Sequence, residues 1–513
     1  MGRAEYGTFR GGASPGVPGP RFAGSGFATG ESVDGFQEWL EAVFTEVVVE
    51  SLDAVIFLDV VFWDDAIDVP LVVLWLGFGA LFFTLRFQFV NFRAFRHALD
   101  CVRGRYTRDD ASGEISHFQA LSAALSATVG LGNIAGVAFA VATGGPGAVF
   151  WMVLMGFLGM SSKFAECTLG QKYRMTREDG HVSGGPMHYL RDGLGELGWL
   201  RLGRWLAVCF AIMCIGGSLG GGNMYQSNQA YSQLASVFPV FAGTAGNLAF
   251  GVGLAALVGS VIIGGIRRIG EVAAALVPFM CVVYVACGLA ILLLHADALL
   301  SGLATIFREA FSLRAGFGGF VGVLIQGFRR AAFSNEAGCG SAAIVHSAAR
   351  TDEPVREGVV ALLEPFVDTI IVCTMTGLVL VVTGAYAAPD AGEGIQMTSW
   401  AFATVFPWFP YLLTFTAVLF AFSTMISWSY YGEQCWAYLF GVRSILAFKG
   451  VFLVFVVLGA LFEARAVVDF GDMMILGMAF PNLFGALLLS GVVKRELDAY
   501  LARLRAGGFE RVR

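Results

Sequence analysis

The sequence predicts an all-α polytopic membrane protein, and three observations carry that prediction. Of its 513 residues 56% are hydrophobic and only 14% are charged, where a soluble domain carries about 25% charged residues. Glycine, at 67 residues, is about twice its ordinary share, which transmembrane helices tolerate. From Val69 onward, apolar runs of about 20 residues recur, the length that crosses a hydrocarbon core. These runs lack the period-2 alternation of a barrel strand, so helices carry the fold. An ordinary soluble enzyme is excluded. No P-loop, HExxH or paired-histidine box marks a membrane enzyme, and the net charge of −6 comes without the basic cluster that nucleic acid would require.

Taken in order, residues 1–32 hold repeated glycine with Pro15, Pro18 and Pro20 and read as a disordered tail. In 33–65, Phe36, Trp39, Leu40, Val43, Phe44 and Val47 recur at helical spacing beside Glu38, Glu41, Glu46 and Glu50, the pattern of an amphipathic interfacial helix. Candidate spans follow at 69–90, 117–143, 147–172, 205–235, 247–264, 272–294, 317–347, 358–386, 408–438, 446–462 and 468–493, eleven in all. Residues 494–513 form a terminal tail. The nine cysteines lie mostly in apolar runs, without a CxxC or zinc spacing, and read as small buried hydrophobes. Of the 33 Lys and Arg, 23 fall in the connections on one side of the spans and 6 on the other. The positive-inside rule then places a multi-pass protein in the inner (plasma) membrane, its N-terminus outside and C-terminus cytoplasmic.

An odd count suits one peripheral helix at 69–90 plus a five-plus-five arrangement of 117–294 and 317–493. Two interrupted helices support that division: Gly130-Leu131-Gly132-Asn133 in the second span and Gly338-Cys339-Gly340-Ser341 in the seventh. Five spans separate them, so the corresponding helices run in opposite directions, as in the inverted repeats of secondary transporters. A broken helix frees backbone groups that lipid cannot satisfy. Its N–H groups favour a carboxylate and its carbonyls a small hard cation, so an amino acid and a sodium ion together suit the polarity.

The stretch Thr128-Val129-Gly130-Leu131-Gly132-Asn133-Ile134-Ala135-Gly136 with Gly144-Gly145-Pro146-Gly147, then Ser334-Asn335-Glu336-Ala337-Gly338-Cys339-Gly340-Ser341-Ala342, then Ser427-Trp428-Ser429-Tyr430-Tyr431-Gly432-Glu433, resembles the alanine or glycine:cation symporter family. The resemblance covers roughly residues 69 to 495 and implies the leucine-transporter type of inverted-repeat fold. It implies that the amides of Leu131 and Gly132 receive the substrate carboxylate. It further implies that the carbonyls of Ser126, Val129 and Phe420 and the hydroxyls of Ser423 and Thr424 hold sodium, the coupling ion, with no other cofactor. The substrate pocket is expected to draw also on Gly130, Asn133, Gln226, Asn228, Ser334, Glu336, Gly338 and Gly340, with Trp428 closing it over a small side chain. Three positions depart from the family's usual residues: Leu131 in place of Thr, Ser427 in place of Gly and Cys339 in place of Met.

Charges inside spans are expensive, about 3 kcal/mol each at the bilayer centre, so Glu166, Glu336, Glu364, Asp368, Arg329 and Arg330 need partners or water. The reading that follows is a sodium-coupled symporter of small neutral amino acids, alanine or glycine, working by alternating access. No nucleic acid or obligate protein partner is indicated. The alternatives are a proton-coupled amino-acid transporter and, behind it, an ion channel.

Overall fold

Helices account for nearly all of the backbone that the computed structural model describes, which comprises residues 56–60, 69–108, 110–177, 180–312 and 316–509. The expected 1–32 tail, most of the 33–65 helix and the last four residues lie outside these. In chain order the helices are α1 (Leu71–Arg86), α2 (His117–Thr128), α3 (Ala135–Gly144), α4 (Gly147–Lys172), α5 (Leu200–Val237), α6 (Thr244–Ile262), α7 (Gly265–Leu294), α8 (Gly316–Asn335), α9 (Ala342–His346), α10 (Pro354–Val382), α11 (Phe409–Phe440), α12 (Ile445–Leu461), α13 (Ala464–Leu488) and α14 (Ser490–Arg505). Shorter helices, among them Pro186–Glu196, Ala296–Ala310 and Ile395–Ala403, lie between them. A hairpin of β1 (Met175–Thr176) and β2 (Val182–Ser183) pairs Met175 with Ser183.

Among the described residues, eight helices are long and apolar enough to cross a membrane, and the pair α2 with residues 131–144, bent by 55°, makes a ninth. Two of the eleven expected spans differ from the sequence reading. The 69–90 span is the 16-residue α1. The 317–347 span is α8, which carries Arg329 and Arg330 among its glycines, followed by a break and the five-residue α9. Length and composition therefore support eight or nine crossings, short of eleven.

Burial sorts the helices into centre and rim. The apolar windows of α4 and α13 are each 72% buried, whereas that of α7 is 33% and the one containing α12 is 28%. The rim helices turn large side chains outward, such as Val282 and Leu293 on α7, which water would not tolerate in such number but hydrocarbon does. The nine cysteines are all free; six are buried, and Cys209, Cys281 and Cys287 are half-buried.

Local chemistry explains where the central helices start. Ser116 caps α2: its hydroxyl accepts the Gln119 N–H at 3.2 Å while Gln119 Oε1 accepts the Ser116 N–H at 2.9 Å. Proline opens α10 at Pro354 and falls in the first turn of α11 at Pro410, where its missing N–H costs nothing. Two long helices contain π-helical turns, Gly220–Met224 in α5 and Phe366–Cys373 in α10. Such turns re-aim side chains and recur at functional sites. The entrance to α2 and the exit of α9 are tied together. Glu114 N–H donates to Ala348 O at 2.8 Å and Arg350 N–H to Ile115 O at 2.7 Å. The Arg174 guanidinium bridges the same two segments through Ser112 O at 2.9 Å and Ala349 O at 2.7 Å.

Candidate substrate and ion site at the broken helices

At the end of α2 two helical donors are diverted from their ordinary acceptors. The Gly130 N–H, which a continuous helix would aim at the Ser126 carbonyl, reaches Asn133 Oδ1 at 2.8 Å and Thr128 O at 3.0 Å. The Asn133 N–H, the ordinary partner of the Val129 carbonyl, turns to Gly130 O at 3.2 Å. The Ser126 and Val129 carbonyls thus lose their places in the i to i+4 ladder. Val129, with φ −78° and ψ 85°, swings its carbonyl away from the helix direction.

Opposite this break stands α11. Thr424 Oγ1 is buried and has no hydrogen-bond partner among the described residues. A Cβ on Gly130 would lie 2.4 Å from that oxygen and 3.2 Å from Gln226 Oε1, so the close approach of Thr424 is what requires glycine there. Ser126 Oγ donates to Ser423 O at 2.6 Å, and Ser423 Oγ donates to Phe420 O at 2.9 Å. The Ser423 hydroxyl is therefore occupied on its own helix, as intramembrane hydroxyls commonly are; that of Thr424 is free. Two released carbonyls beside an unpartnered buried hydroxyl form a neutral all-oxygen set, the ligand chemistry of a hard cation.

The amides on the far side of the break are unequal. Leu131 N–H donates to Gln226 Oε1 at 3.2 Å, and Gln226 is itself held by its Nε2 on Gly221 O at 3.0 Å. The Gly132 N–H has no acceptor among the described residues. Gln226 thus stands where one oxygen of a carboxylate would sit on the Leu131 amide. Crowding is absent at Gly132, where a Cβ would meet only Phe333 and Ser334 at 3.8 Å. Gly130 is the sterically tight glycine of the pair.

Asn133 extends the site toward α10. Its Nδ2 donates to the Asp368 backbone carbonyl at 3.1 Å and to the Asp368 carboxylate, which also accepts Ser334 Oγ at 3.1 Å and Thr369 Oγ1 at 2.7 Å. The π-helical turn Phe366–Cys373 contains this aspartate. Sequence reasoning placed Asp368 only among the charges needing partners; the signal for more was an acid in an apolar run. Phe333 was also missed. Its ring faces Tyr225 edge-on at a centroid distance of 5.4 Å, carries the Arg330 guanidinium at 5.6 Å and lies against Gly132.

Two other expected residues are held by contacts with neighbouring helices. Trp428 is buried with its indole against α5, where a Cβ on Gly222 would fall 2.2 Å from its Cγ. Ser218 Oγ donates to the Trp428 carbonyl at 2.9 Å, so its visible contacts are packing contacts. Asn228 donates to Gly459 O at 3.3 Å and Phe462 O at 2.8 Å. With Asn223 on Phe452 O and Ser227 on Val456 O, both at 2.7 Å, it fastens α5 to α12, away from the first break.

In the second break Glu336 takes a left-handed φ of 54°, followed by Gly338 at 95° and Gly340 at 86°. Glu336 accepts the Ser341 hydroxyl, and its backbone carbonyl accepts Cys339 N–H at 3.0 Å. A Cβ on Gly338 would fall 2.6 Å from Leu76, and one on Gly340 2.7 Å from Asn482. These two glycines pack against α1 and α13, while Ser334, at the end of α8, joins the Asn133 cluster. Every intramembrane charge singled out in the sequence finds a partner: Glu166 on Asn482, Glu364 on Lys163, and Arg329 with Arg330 on Asp472.

Known proteins share this chain's sequence over the same region. Residues 52–512 match the family described as "Sodium:alanine symporter family". The "Sodium/alanine symporter AgcS" of Methanococcus maripaludis is 42% identical over 433 residues, 84% of this chain and 94% of that protein. The "Probable sodium/glutamine symporter GlnT" of Bacillus subtilis is 33% identical over 441 residues, 85% of this chain and 89% of that one. A third relative, the "Amino-acid carrier protein AlsT" of Bacillus subtilis, is 33% identical over 459 residues, 87% and 94% of the two chains. The released backbone at the first break therefore sits in a transporter and not an enzyme, and this chain belongs to the sodium:alanine symporter family.

Proposed function

We propose that this protein moves a small neutral amino acid, alanine or glycine, together with sodium across the inner membrane by alternating access. The observation that carries the reading is the diverted backbone of the first break, with the Ser126 and Val129 carbonyls released beside the unpartnered Thr424 hydroxyl and the Gly132 N–H open. Sodium would take the oxygens of Ser126, Val129 and Thr424, with Phe420 and Ser423 completing the set. The substrate carboxylate would take the amides of Leu131 and Gly132 after Gln226 Oε1 withdraws. Ion and substrate then organise the same few residues, and binding one lowers the ordering cost of the other, a source of positive coupling. The names of two relatives, a sodium/alanine and a probable sodium/glutamine symporter, support sodium as the driving ion.

The inverted five-plus-five repeat is part of the same reading. Each half opens with a broken helix followed by a long one, α2–α3 before α4 and α8–α9 before α10. Phe333 is the ring best placed to limit substrate size, because it lies against Gly132; Trp428 is held in the groove of α5. Gly130, Asn133 and Ser334 serve by shaping the break, whereas Asn228, Gly338 and Gly340 serve by packing around it, and Glu336 holds the second break through Ser341. The test is uptake of labelled alanine into proteoliposomes with and without an inward sodium gradient. Uptake that ignores the gradient would sink sodium coupling, and uptake driven equally by a proton gradient would favour the proton-coupled alternative.

A further inference from the structure

Beneath the second break lies a chain of ionisable side chains that the ion and substrate site does not use. Glu357 of α10 is fully buried and accepts from two histidines, His117 Nδ1 on one carboxylate oxygen and His346 Nδ1 on the other at 2.6 Å. The second ring nitrogen of His346 points at Glu364 Oε2, 3.7 Å away. Neither atom has a hydrogen-bond partner among the described residues. Glu364 Oε1 is held by Lys163 Nζ at 2.9 Å. The cluster joins α2 through His117, α9 through His346, α10 through both glutamates and α4 through Lys163.

Charge counting says what is missing. Glu357, Glu364 and Lys163 together carry one net negative charge when both imidazoles are neutral, and Glu166 and Glu336, which also lie near Lys163, supply no cation, a costly state away from water. A single proton offsets the charge shared by the two glutamates that flank His346. On His346 Nε2 that proton would also turn two orphaned atoms, a ring nitrogen and a carboxylate oxygen, into a charge-assisted hydrogen bond. The titratable groups around His346 on each packed element are Lys163, Glu166 and Cys167 on α4 with Arg174 just beyond it, His117 on α2, Glu336 ahead of α9, and Tyr431 on α11. Lys163 and Arg174 are the cations among them, and both already have carboxylate or carbonyl partners.

We propose that His346, between Glu357 and Glu364, is a proton-binding site whose occupancy latches the first broken helix at its His117 end. The mechanical link is short. His117 is the first residue of α2, a helix continuous for 12 residues and then hinged at Val129 and Gly130, so a tie at its first turn restrains the whole arm. With the proton bound, Glu357 and Glu364 are both drawn onto His346, which fixes Glu357 as the anchor to which His117 donates; without it, the two carboxylates repel across the neutral ring and that anchor is free to shift. Acid on this side, which the Lys and Arg distribution assigns to the cytoplasm, would hold the arm closed, whichever ion drives transport.

Two measurements test the latch on the full-length protein. The first is hydrogen–deuterium exchange of the segment 112–121 in detergent, from mildly alkaline to mildly acid pH and at saturating sodium. After correction for the intrinsic base-catalysed rate at each pH, the parent's protection factor should rise roughly tenfold on the acid side, the scale of one charge-assisted hydrogen bond, and that of His346→Gln should not change with pH. Glu364→Gln, whose amide oxygen can still accept from Lys163 Nζ although the ion pair and the proton's charged second acceptor are lost, should weaken the response if His346→Gln does not fold. His188, outside the spans, stays neutral throughout because burial pushes it down to about 4; His181, whose Nδ1 lies 2.9 Å from Glu114 inside the probed segment, is replaced by Gln in both parent and variants so that its proton does not enter the reading. The second measurement is alanine uptake with the buffer inside the vesicles acidified, expected to slow roughly tenfold in the parent and not in His346→Gln. A protection factor in the parent that ignores pH, or variants that keep the parent's profile, would overturn the latch. Loss of sodium-driven uptake in the parent, with pH-dependent exchange intact, would overturn the transport reading and leave the latch standing.

Discussion

Thr424 and Gly130 define each other at the first break, and the most direct tests are at single residues. Thr424 Oγ1 is a buried hydroxyl without a partner among the described residues, so Thr424→Ala should raise the sodium concentration for half-maximal uptake about tenfold, the worth of one oxygen contact to a charged group. Substrate preference should not change, and an unshifted sodium titration would remove Thr424 from the ion site. Gly130→Ala would drive a methyl to 2.4 Å from the same hydroxyl. It should cost about 1–3 kcal/mol of stability by overpacking and abolish alanine binding. Gly132→Ala, with 3.8 Å of room, should keep its thermal stability within about 0.5 kcal/mol, so any loss of binding there reports on carboxylate access alone. Melting both variants in detergent, beside binding of labelled alanine, separates these outcomes. Phe333→Ala should admit valine and leucine as competitors of alanine uptake. Trp428→Ala should instead lose about 3–5 kcal/mol of stability, because its indole fills the Gly222 groove. The reverse pattern in competition assays would restore Trp428 to the pocket.

At the scale of elements, the ion pairs decide which helices are fastened to which. Asp472 on α13 takes both Arg329 and Arg330 from α8, and it is fully buried. Removing its charge leaves Arg330 buried beside Phe333 without a hydrogen-bonded counter-ion among the described residues, so Asp472→Asn should destabilise by about 3–5 kcal/mol. A melting shift within the scatter of surface variants would mean that water already pays for those arginines. The broken helices themselves are short of backbone partners by design. Gly130 N–H is turned aside by the Asn133 side chain, and Ala337 N–H is taken by Asn335 Oδ1 at 3.0 Å. In each break an asparagine side chain replaces a lost helical bond, which is why the unwinding is tolerated at membrane depth.

For the whole molecule, the positive-inside count predicts a C-terminal tail on the cytoplasmic side. A single cysteine placed at Arg505 in a chain whose own half-buried cysteines have been replaced should resist a membrane-impermeant maleimide in intact cells and react in inverted vesicles. Labelling from outside the cell would reverse the whole orientation, including the side on which the His346 latch would sense acid. The same end of the molecule carries the backbone ties between 114–115 and 348–350, so the orientation also decides which compartment faces the closure between α2 and α9.

Sequence alone determined the class, the family resemblance and both break positions, because these rest on local facts. Apolar run length follows from bilayer thickness, and a glycine pair inside such a run marks where a helix can part with its ladder. It placed Ser126, Val129, Leu131, Gln226 and Thr424 in one neighbourhood through the resemblance, and the structure brings them together. It did not separate Gln226 from Asn228, two residues apart in α5, because which face of a helix meets α12 and which meets the first break depends on packing. Close approach of a carboxylate to the main chain points in sequence to Gly132 as the position that cannot carry a Cβ, whereas the crowded one is Gly130, because a hydroxyl 294 positions away in the chain comes up against it. The roles of Asp368 and Phe333, and the His117–Glu357–His346–Glu364–Lys163 chain, were likewise decided only by tertiary structure. Each charge or ring reads in sequence as a lone expense in an apolar span, and its partner lies on another helix, so the energy that justifies it exists only once the helices have packed.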